Sequence, residues 1–224
     1  MAENFSLELN AFETVVSNMY QNGALNVDFE NPYLLSSGVK SPLYIDAGVL
    51  ISDFGSRSRI CGSVLFWINS QHLEIDAVVG IANGGTAWSS SVANSKVLPL
   101  LYALPHPKDH GLKNQIVGEL PHDGAKVVVI DDVITTGKSA ISVVEALRNG
   151  KNGKRAEVLG VFSVFDWEFP AVNEEFKKRG IEKKTLVSID SLFNYGIVKN
   201  LLDPEVEKRL RQFYQEQCDS FLMS

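Results

Sequence analysis

The stretch Val127-Val128-Val129-Ile130-Asp131-Asp132-Val133-Ile134-Thr135-Thr136-Gly137-Lys138-Ser139-Ala140 decides the fold. Its first four residues are β-branched and apolar, which suits a strand buried on both faces. Two adjacent carboxylates close that run. Thr135, Thr136 and Gly137 then make a small-residue turn, and Ala140, Val143, Val144 and Leu147 recur at the spacing of one apolar helix face. A strand that turns directly into a helix in this way marks the ligand position of an open α/β sheet. The N–H groups of Thr136, Gly137, Lys138 and Ser139 would sit at the positive end of the helix dipole. Together with the hydroxyls of Thr135, Thr136 and Ser139, they suit a phosphomonoester. Asp131 and Asp132 cannot hold that anion; beside it they suit sugar hydroxyls, or positive charge developing on a ribose ring. Each piece alone is an ordinary strand end, turn or cap, and only their order is specific. A Walker loop is disfavoured, because the first glycine of that motif is missing ahead of Gly137-Lys138.

The pattern on either side supports an α/β sheet. Short apolar runs at Asp76 to Ile81, Val97 to Tyr102, Lys126 to Ile130, Val158 to Phe165 and Thr185 to Ile189 predict buried strands. Helical patterns at Thr86 to Asn94, Ser139 to Asn149 and Ala171 to Arg179 alternate with them, which predicts a mostly parallel sheet with right-handed crossovers. Ahead of these lie an amphipathic helix from about Leu7 to Gln21, two extended segments around Tyr33 to Ile45, and helical spacing through Ile60, Val64, Trp67 and Ile68. Pro204 to Gln217 reads as a surface helix capped by Asp203. The connection over residues 104–125 is long for an idle loop and predicts a lid. Gly80-Ile81-Ala82-Asn83-Gly84-Gly85-Thr86 is a second strand-to-helix turn where glycine permits close backbone approach.

Composition sets outer limits. The 224 residues are 45% hydrophobic and 21% charged, enough for one folded core and unlike a disordered chain or a disulfide scaffold. A net charge of −6 argues against a general nucleic-acid binder, so any phosphate must be held at one local site. Only Cys61 and Cys218 are present, which fits a reducing cytoplasm. The N-terminus lacks a secretory pattern, and no apolar segment is long enough to cross a bilayer.

The segment Val129 to Ala140 resembles the phosphoribosyl-pyrophosphate (PRPP) motif of type I phosphoribosyltransferases. Lys108-Asp109-His110-Gly111 with Val117-Gly118 resembles the mobile catalytic loop of the orotate phosphoribosyltransferase family. Ser37-Gly38, Ser41-Pro42 and Tyr44-Ile45-Asp46 are similar to its N-terminal elements, and the similarity runs from about Tyr33 to Gln212. The resemblance implies a type I phosphoribosyltransferase fold: a mostly parallel five-stranded sheet flanked by helices, with a small hood from the N- and C-terminal segments. It divides the chain into a hood segment (1–47), a PRPP-binding core (48–180) and a last strand with a helical segment (181–224).

The same resemblance implies the chemistry. Orotate and PRPP would give orotidine 5′-monophosphate and pyrophosphate, a step of pyrimidine biosynthesis. Asp131 and Asp132 would contact ribose, and the run Val133, Ile134, Thr135, Thr136, Gly137, Lys138 and Ser139 would bind PRPP, chiefly its 5′-phosphate. Asn83, Gly84 and Gly85 would form the pyrophosphate loop, with Thr135 and Trp167 near the base. Lys108 and His110 would supply cationic help from the lid, which in this family reaches into the partner of a homodimer. Mg²⁺ would be held through PRPP, with no firm protein ligand.

Several basic residues of the family pattern are replaced: by Ser36 in the N-terminal Ser-Gly element, by Leu104 and Pro105 ahead of the lid lysine, by Gly84, and by Trp167 where the family reaches the base. Lys40, Lys113 and Lys138 are candidate replacements. An indole in place of a guanidinium removes a charge-assisted bidentate bond to a carboxylate. Trp167 could stack on a base or be a core aromatic. Three readings stand on the sequence: orotate transfer, favoured by overall similarity; transfer to a less acidic base, favoured by Trp167; and a non-catalytic PRPP or nucleotide binder, favoured by the missing cations.

Overall fold

The computed structural model describes residues 2–35, 38–105, 115–150 and 152–222. Helix α1 (Ala2–Gln21) leads into four short strands, β1 (Leu25–Val27), β2 (Tyr33–Leu34), β3 (Lys40–Ser41) and β4 (Leu43–Ile45). They form two antiparallel ribbons, β1 with β4 and β2 with β3. Helix α2 (Phe54–Ser70) is started by Asp53, whose carboxylate accepts the Ser56 N–H at 2.6 Å.

The core follows as β5 (Ala77–Ile81), α3 (Gly84–Lys96), β6 (Leu100–Ala103), β7 (Ile116–Val117), β8 (Ala125–Ile134), α4 (Lys138–Asn149), β9 (Ala156–Asp166), α5 (Pro170–Lys178) and β10 (Lys183–Ser188). Helices α6 (Ile189–Val198) and α7 (Pro204–Leu222) complete the chain. The sheet order is β10-β9-β8-β5-β6-β7. Five of these strands are parallel, as the alternating pattern predicts, and β7 adds an antiparallel edge through Tyr102↔Val117 and Ala103↔Ile116. The 104–125 connection is therefore partly strand. Two residues are too few to leave a periodic signal.

Sheet order fixes where a ligand fits. From β5 the chain crosses through α3 to β6 on one side; from β8 it crosses through α4 to β9, and on through α5 to β10, on the other. Right-handed crossovers in opposite directions put α3 on one face and α4 and α5 on the other. The chain thus parts between β5 and β8, and a crevice opens at their C-terminal ends. Val127, Val128, Val129 and Ile130 of β8 are fully buried, which makes this central strand a rigid base for the crevice.

Strand β8 runs four residues beyond the predicted end, so Asp131 and Asp132 belong to the ladder, with Asp131 opposite Ser163 of β9. Helix α6 is not apparent in the apolar runs, because Ile189 reads as the end of a strand. Its start is a capping box between Ser188 and Ser191, with serine rather than the usual Glu or Gln at the third helical position. The predicted Asp203 cap is present and accepts from the N–H groups of Glu205 and Val206. Helix α7 returns over the N-terminal ribbons, where the Arg209 guanidinium lies 3.6 Å from the centroid of the Phe29 ring.

Candidate active site

The crevice is a cleft of about 480 Å³. Its floor comes from β8 and the following turn (Asp131, Asp132, Val133, Thr135, Ser139) and from the β5 turn (Ile81, Ala82, Asn83, Gly84). Its upper wall comes from Leu34, Leu35, Tyr44 and Ile45 of the N-terminal ribbons, with Pro105 and Trp167 at its sides. The sequence signal for the upper wall is the Tyr33 to Ile45 segment, whose short strands gave no indication of which side chains point inward.

Two helices begin at this cleft, and neither is capped by a side chain. Asn83 at the start of α3 and Gly137 at the start of α4 make no side-chain capping bond, whereas α2 and α6 are capped by Asp53 and Ser188. First-turn N–H groups that no side chain caps at two helix starts provide a positive field without a lysine or arginine. Gly137 makes the turn possible. It has φ +70°, and a Cβ there would lie 2.6 Å from Phe176 Cε2 and 2.9 Å from Val172 Cγ1. Gly84 is equally constrained, since a Cβ would overlap the Asp132 carboxylate. Gly85 lies against the Ile130 carbonyl in the same way and is buried beneath the cleft floor.

The two aspartates differ in environment. Asp131 is buried at 5% exposure; Asp132 is partly open to the cleft. Asp131 Oδ1 accepts the Asp132 N–H at 3.0 Å, and Asp132 Oδ1 accepts the Val133 N–H at 2.9 Å, so local backbone holds both side chains. Burial, followed by the adjacent charge of Asp132, pushes the Asp131 carboxyl well above the usual carboxylate range. A ligand that offers hydroxyl donors or positive charge would relieve that cost.

The residues singled out from sequence are thus partly assembled. Asn83, Gly84, Asp131, Asp132, Val133, Thr135, Ser139 and Trp167 line one cleft. Ile134 is buried below it, Lys138 is exposed, and Thr136 and Gly137 shape the turn without lining the cavity. Lys108, His110, Lys113 and Ser36 lie outside the described residues. On either side of the stretch that carries Lys108 and His110, the Leu104 N–H donates to Gln115 O at 2.8 Å, Gln115 Nε2 donates to Ser142 Oγ of α4 at 2.9 Å, and Pro105 lines the cleft. Lys40 sits apart, in a groove with Phe29 and Arg209.

Trp167 is a packed aromatic with 2% exposure that forms part of the cleft wall. Phe169 stacks on one face at 5.7 Å and 14°, while Phe165 and Phe213 meet it edge-on. Phe169 thus covers one face of the indole, which is a core aromatic that also forms part of the cleft wall.

Among the described residues, no three His, Cys, Asp or Glu side chains converge to hold a metal ion. Mg²⁺ commonly keeps several waters and takes one or two carboxylates beside phosphate oxygens, and Asp132, partly open to the cleft, could supply one. None of the described helices is long and apolar enough to cross a membrane.

Residues 51–163 match the family described as the phosphoribosyl transferase domain. The chain is 30% identical over 211 residues to an orotate phosphoribosyltransferase of Cytophaga hutchinsonii, covering 94% of this chain and 99% of that one. It is 32% identical over 199 residues to the orotate phosphoribosyltransferase of Porphyromonas gingivalis, covering 89% and 92%. The crystal structure of orotate phosphoribosyltransferase from Aeropyrum pernix superposes with a TM-score of 0.66 at 29% identity, over 80% of this chain and 96% of that one.

Proposed function

Because the chain belongs to the phosphoribosyl transferase family, in its orotate phosphoribosyltransferase branch, we propose that it transfers the phosphoribosyl group of PRPP to orotate. Orotidine 5′-monophosphate and pyrophosphate are the products. The observation that carries this reading is the meeting of two uncapped helix starts and the Asp131-Asp132 pair in one cleft.

Each part has a chemical task. The open amides at the start of α4, with the Thr135 and Ser139 hydroxyls, hold the 5′-phosphate. Asp131 and Asp132 accept hydrogen bonds from the ribose hydroxyls, and their charge favours the positive ribosyl carbon formed as the C–O bond to pyrophosphate lengthens. The Asn83-Gly84 turn presents backbone to the leaving pyrophosphate. The upper wall of Leu34, Leu35 and Tyr44, with Trp167 at its side, keeps water from the ribosyl carbon while a ring nitrogen of the base attacks it. Magnesium would be held chiefly by the substrate, with Asp132 as the carboxylate open to it, and would supply positive charge that offsets the leaving group.

Lys108 and His110 complete the reading as cationic groups brought over the leaving group by the 104–125 segment. A homodimer with a shared active site and a cytoplasmic location accompany it, supported by the family and by the two free thiols.

The test is pyrophosphate release with PRPP and Mg²⁺, screening orotate, uracil and adenine as acceptors. Release with orotate in preference to the other two is expected. Preference for uracil or adenine would move the protein to another acceptor, and PRPP binding without release with any base would make it a binding protein. Lys108→Ala should lower turnover without lowering thermal stability, and an unchanged rate would remove Lys108 from the reaction.

A further inference from the structure

The far side of the cleft wall carries a charge pair that no step above uses. Asp166, the last residue of β9, is fully buried, and its carboxylate is paired with Lys183 at the start of β10. A buried carboxylate is costly unless paired and hydrogen-bonded, and here every part of it is used. Lys183 bonds Asp166 Oδ2 and also donates to Asn173 Oδ1 of α5 at 2.5 Å. The Thr185 hydroxyl lies 3.3 Å from Oδ2 and is bonded in turn to the Ser163 hydroxyl. The other oxygen, Oδ1, accepts the N–H of Glu168 at 2.7 Å.

That last bond spans the corner in which Trp167 sits. Glu168 takes φ +51°, a left-handed conformation that an L side chain adopts only when held there. Its carbonyl accepts from the Tyr214 hydroxyl at 3.1 Å, and the Trp167 N–H donates to Ile134 O at 3.0 Å, next to the phosphate turn. The wall position of the indole therefore depends on residues 166 and 168 being fixed on either side.

We propose that Lys183 is a positioning residue for the acceptor end of the cleft: by neutralising Asp166 it keeps that carboxylate turned inward, holds the 166–168 corner closed, and so fixes the Trp167 wall against which the base is seated. This inference rests on the phosphoribosyl-transfer reading for the words acceptor and base; the held corner itself does not. Without the ammonium, Asp166 must take up a proton or turn toward water, and the Glu168 N–H loses its charged partner. Asparagine at 166 keeps an oxygen for Glu168 and needs no counter-ion.

Three variants and two measurements test this. Lys183→Met should raise the KM for orotate about tenfold while that for PRPP changes less than about twofold. It should also abolish the near-ultraviolet circular dichroism band of Trp167, identified as the difference between wild type and Trp167→Phe. Asp166→Asn combined with Lys183→Met should restore the band and bring the orotate KM to within about threefold of wild type. Should Lys183→Met fail to fold, Asp166→Leu with Lys183→Met replaces it; this pair is neutral but offers Glu168 no acceptor, so it should show the defect that the asparagine pair lacks. An unchanged orotate KM and band in Lys183→Met, equal rises in both KM values, or no difference between the asparagine and leucine pairs would overturn the proposal. If wild type turns over no base, the transfer reading fails, and the Trp167 band across the same variants decides the corner alone: lost and restored it stands, otherwise it falls.

Discussion

The Asp132 carboxylate fills the space into which any side chain at Gly84 would project. The turn after β5 and the end of β8 therefore form one continuous surface, and neither can change without the other. Gly84→Ala should displace Asp132 and lower kcat/KM for PRPP about 100-fold, the scale of an ångström-sized misplacement in a catalytic site. Gly84→Lys, which restores the basic residue of the family pattern, should be worse than alanine. Steady-state pyrophosphate release measures both, and a lysine variant faster than alanine would contradict this geometry.

Asp131 should cost the free protein stability. Burial and the neighbouring Asp132 raise its folded pKa above the ordinary 3.8, so the folded chain holds this proton more tightly than the unfolded chain. The contribution is complete below the unfolded value and is lost as pH rises through the folded one. Asp166 acts in the same direction, because its burial outweighs Lys183. Asp131→Asn, which keeps an acceptor for the Asp132 N–H, should stabilise the ligand-free protein by about 1 kcal/mol at neutral pH and abolish most turnover. Thermal unfolding followed against pH should show the two proteins converging in acid; parallel curves would exclude the assignment.

Gly137→Ala should be destabilising by about 2 kcal/mol, because it adds a methyl group against Phe176 and Val172 at a positive φ. The same change distorts the start of α4, so affinity for PRPP should fall with stability. Urea unfolding and PRPP titration of the one variant check both, and a loss confined to stability would remove the α4 start from phosphate binding.

Chelating divalent metal should stop turnover and leave the melting temperature of the ligand-free protein unchanged, because the described residues provide no cage that folding could depend on. A lower melting temperature in chelator would reveal a metal held by the protein itself.

Much of this was legible in the chain. The β8–α4 stretch declared itself because a buried strand, an acidic pair, a hydroxyl-rich turn and an apolar helix face each leave a separate mark in composition. The turn from Gly80 to Thr86 was weaker, since Gly84 and Gly85 show their reason only when Asp132 and Ile130 are seen beside them. The upper wall was not legible, because β2 and β3 have two residues each and no period to read. Nor was the Trp167 corner. Asp166 and Lys183 are separated by a helix and lie at opposite ends of the β9–β10 register, Asp166 opposite Ser188 and Lys183 opposite Val161, so only their side chains meet. Sequence alone left Trp167 equally a base contact or a core residue, and its packing shows a core residue that also walls the cleft.

The most direct measurement is orotate-dependent pyrophosphate release by wild type and by Asp131→Asn combined with Asp132→Asn, with PRPP and Mg²⁺ at saturation. Steady release by wild type and a loss of at least about 100-fold in the double variant are expected, with the folded state retained. Equal rates in the two proteins would show that the reaction does not occur in this cleft, and no release by wild type would show that it does not occur at all.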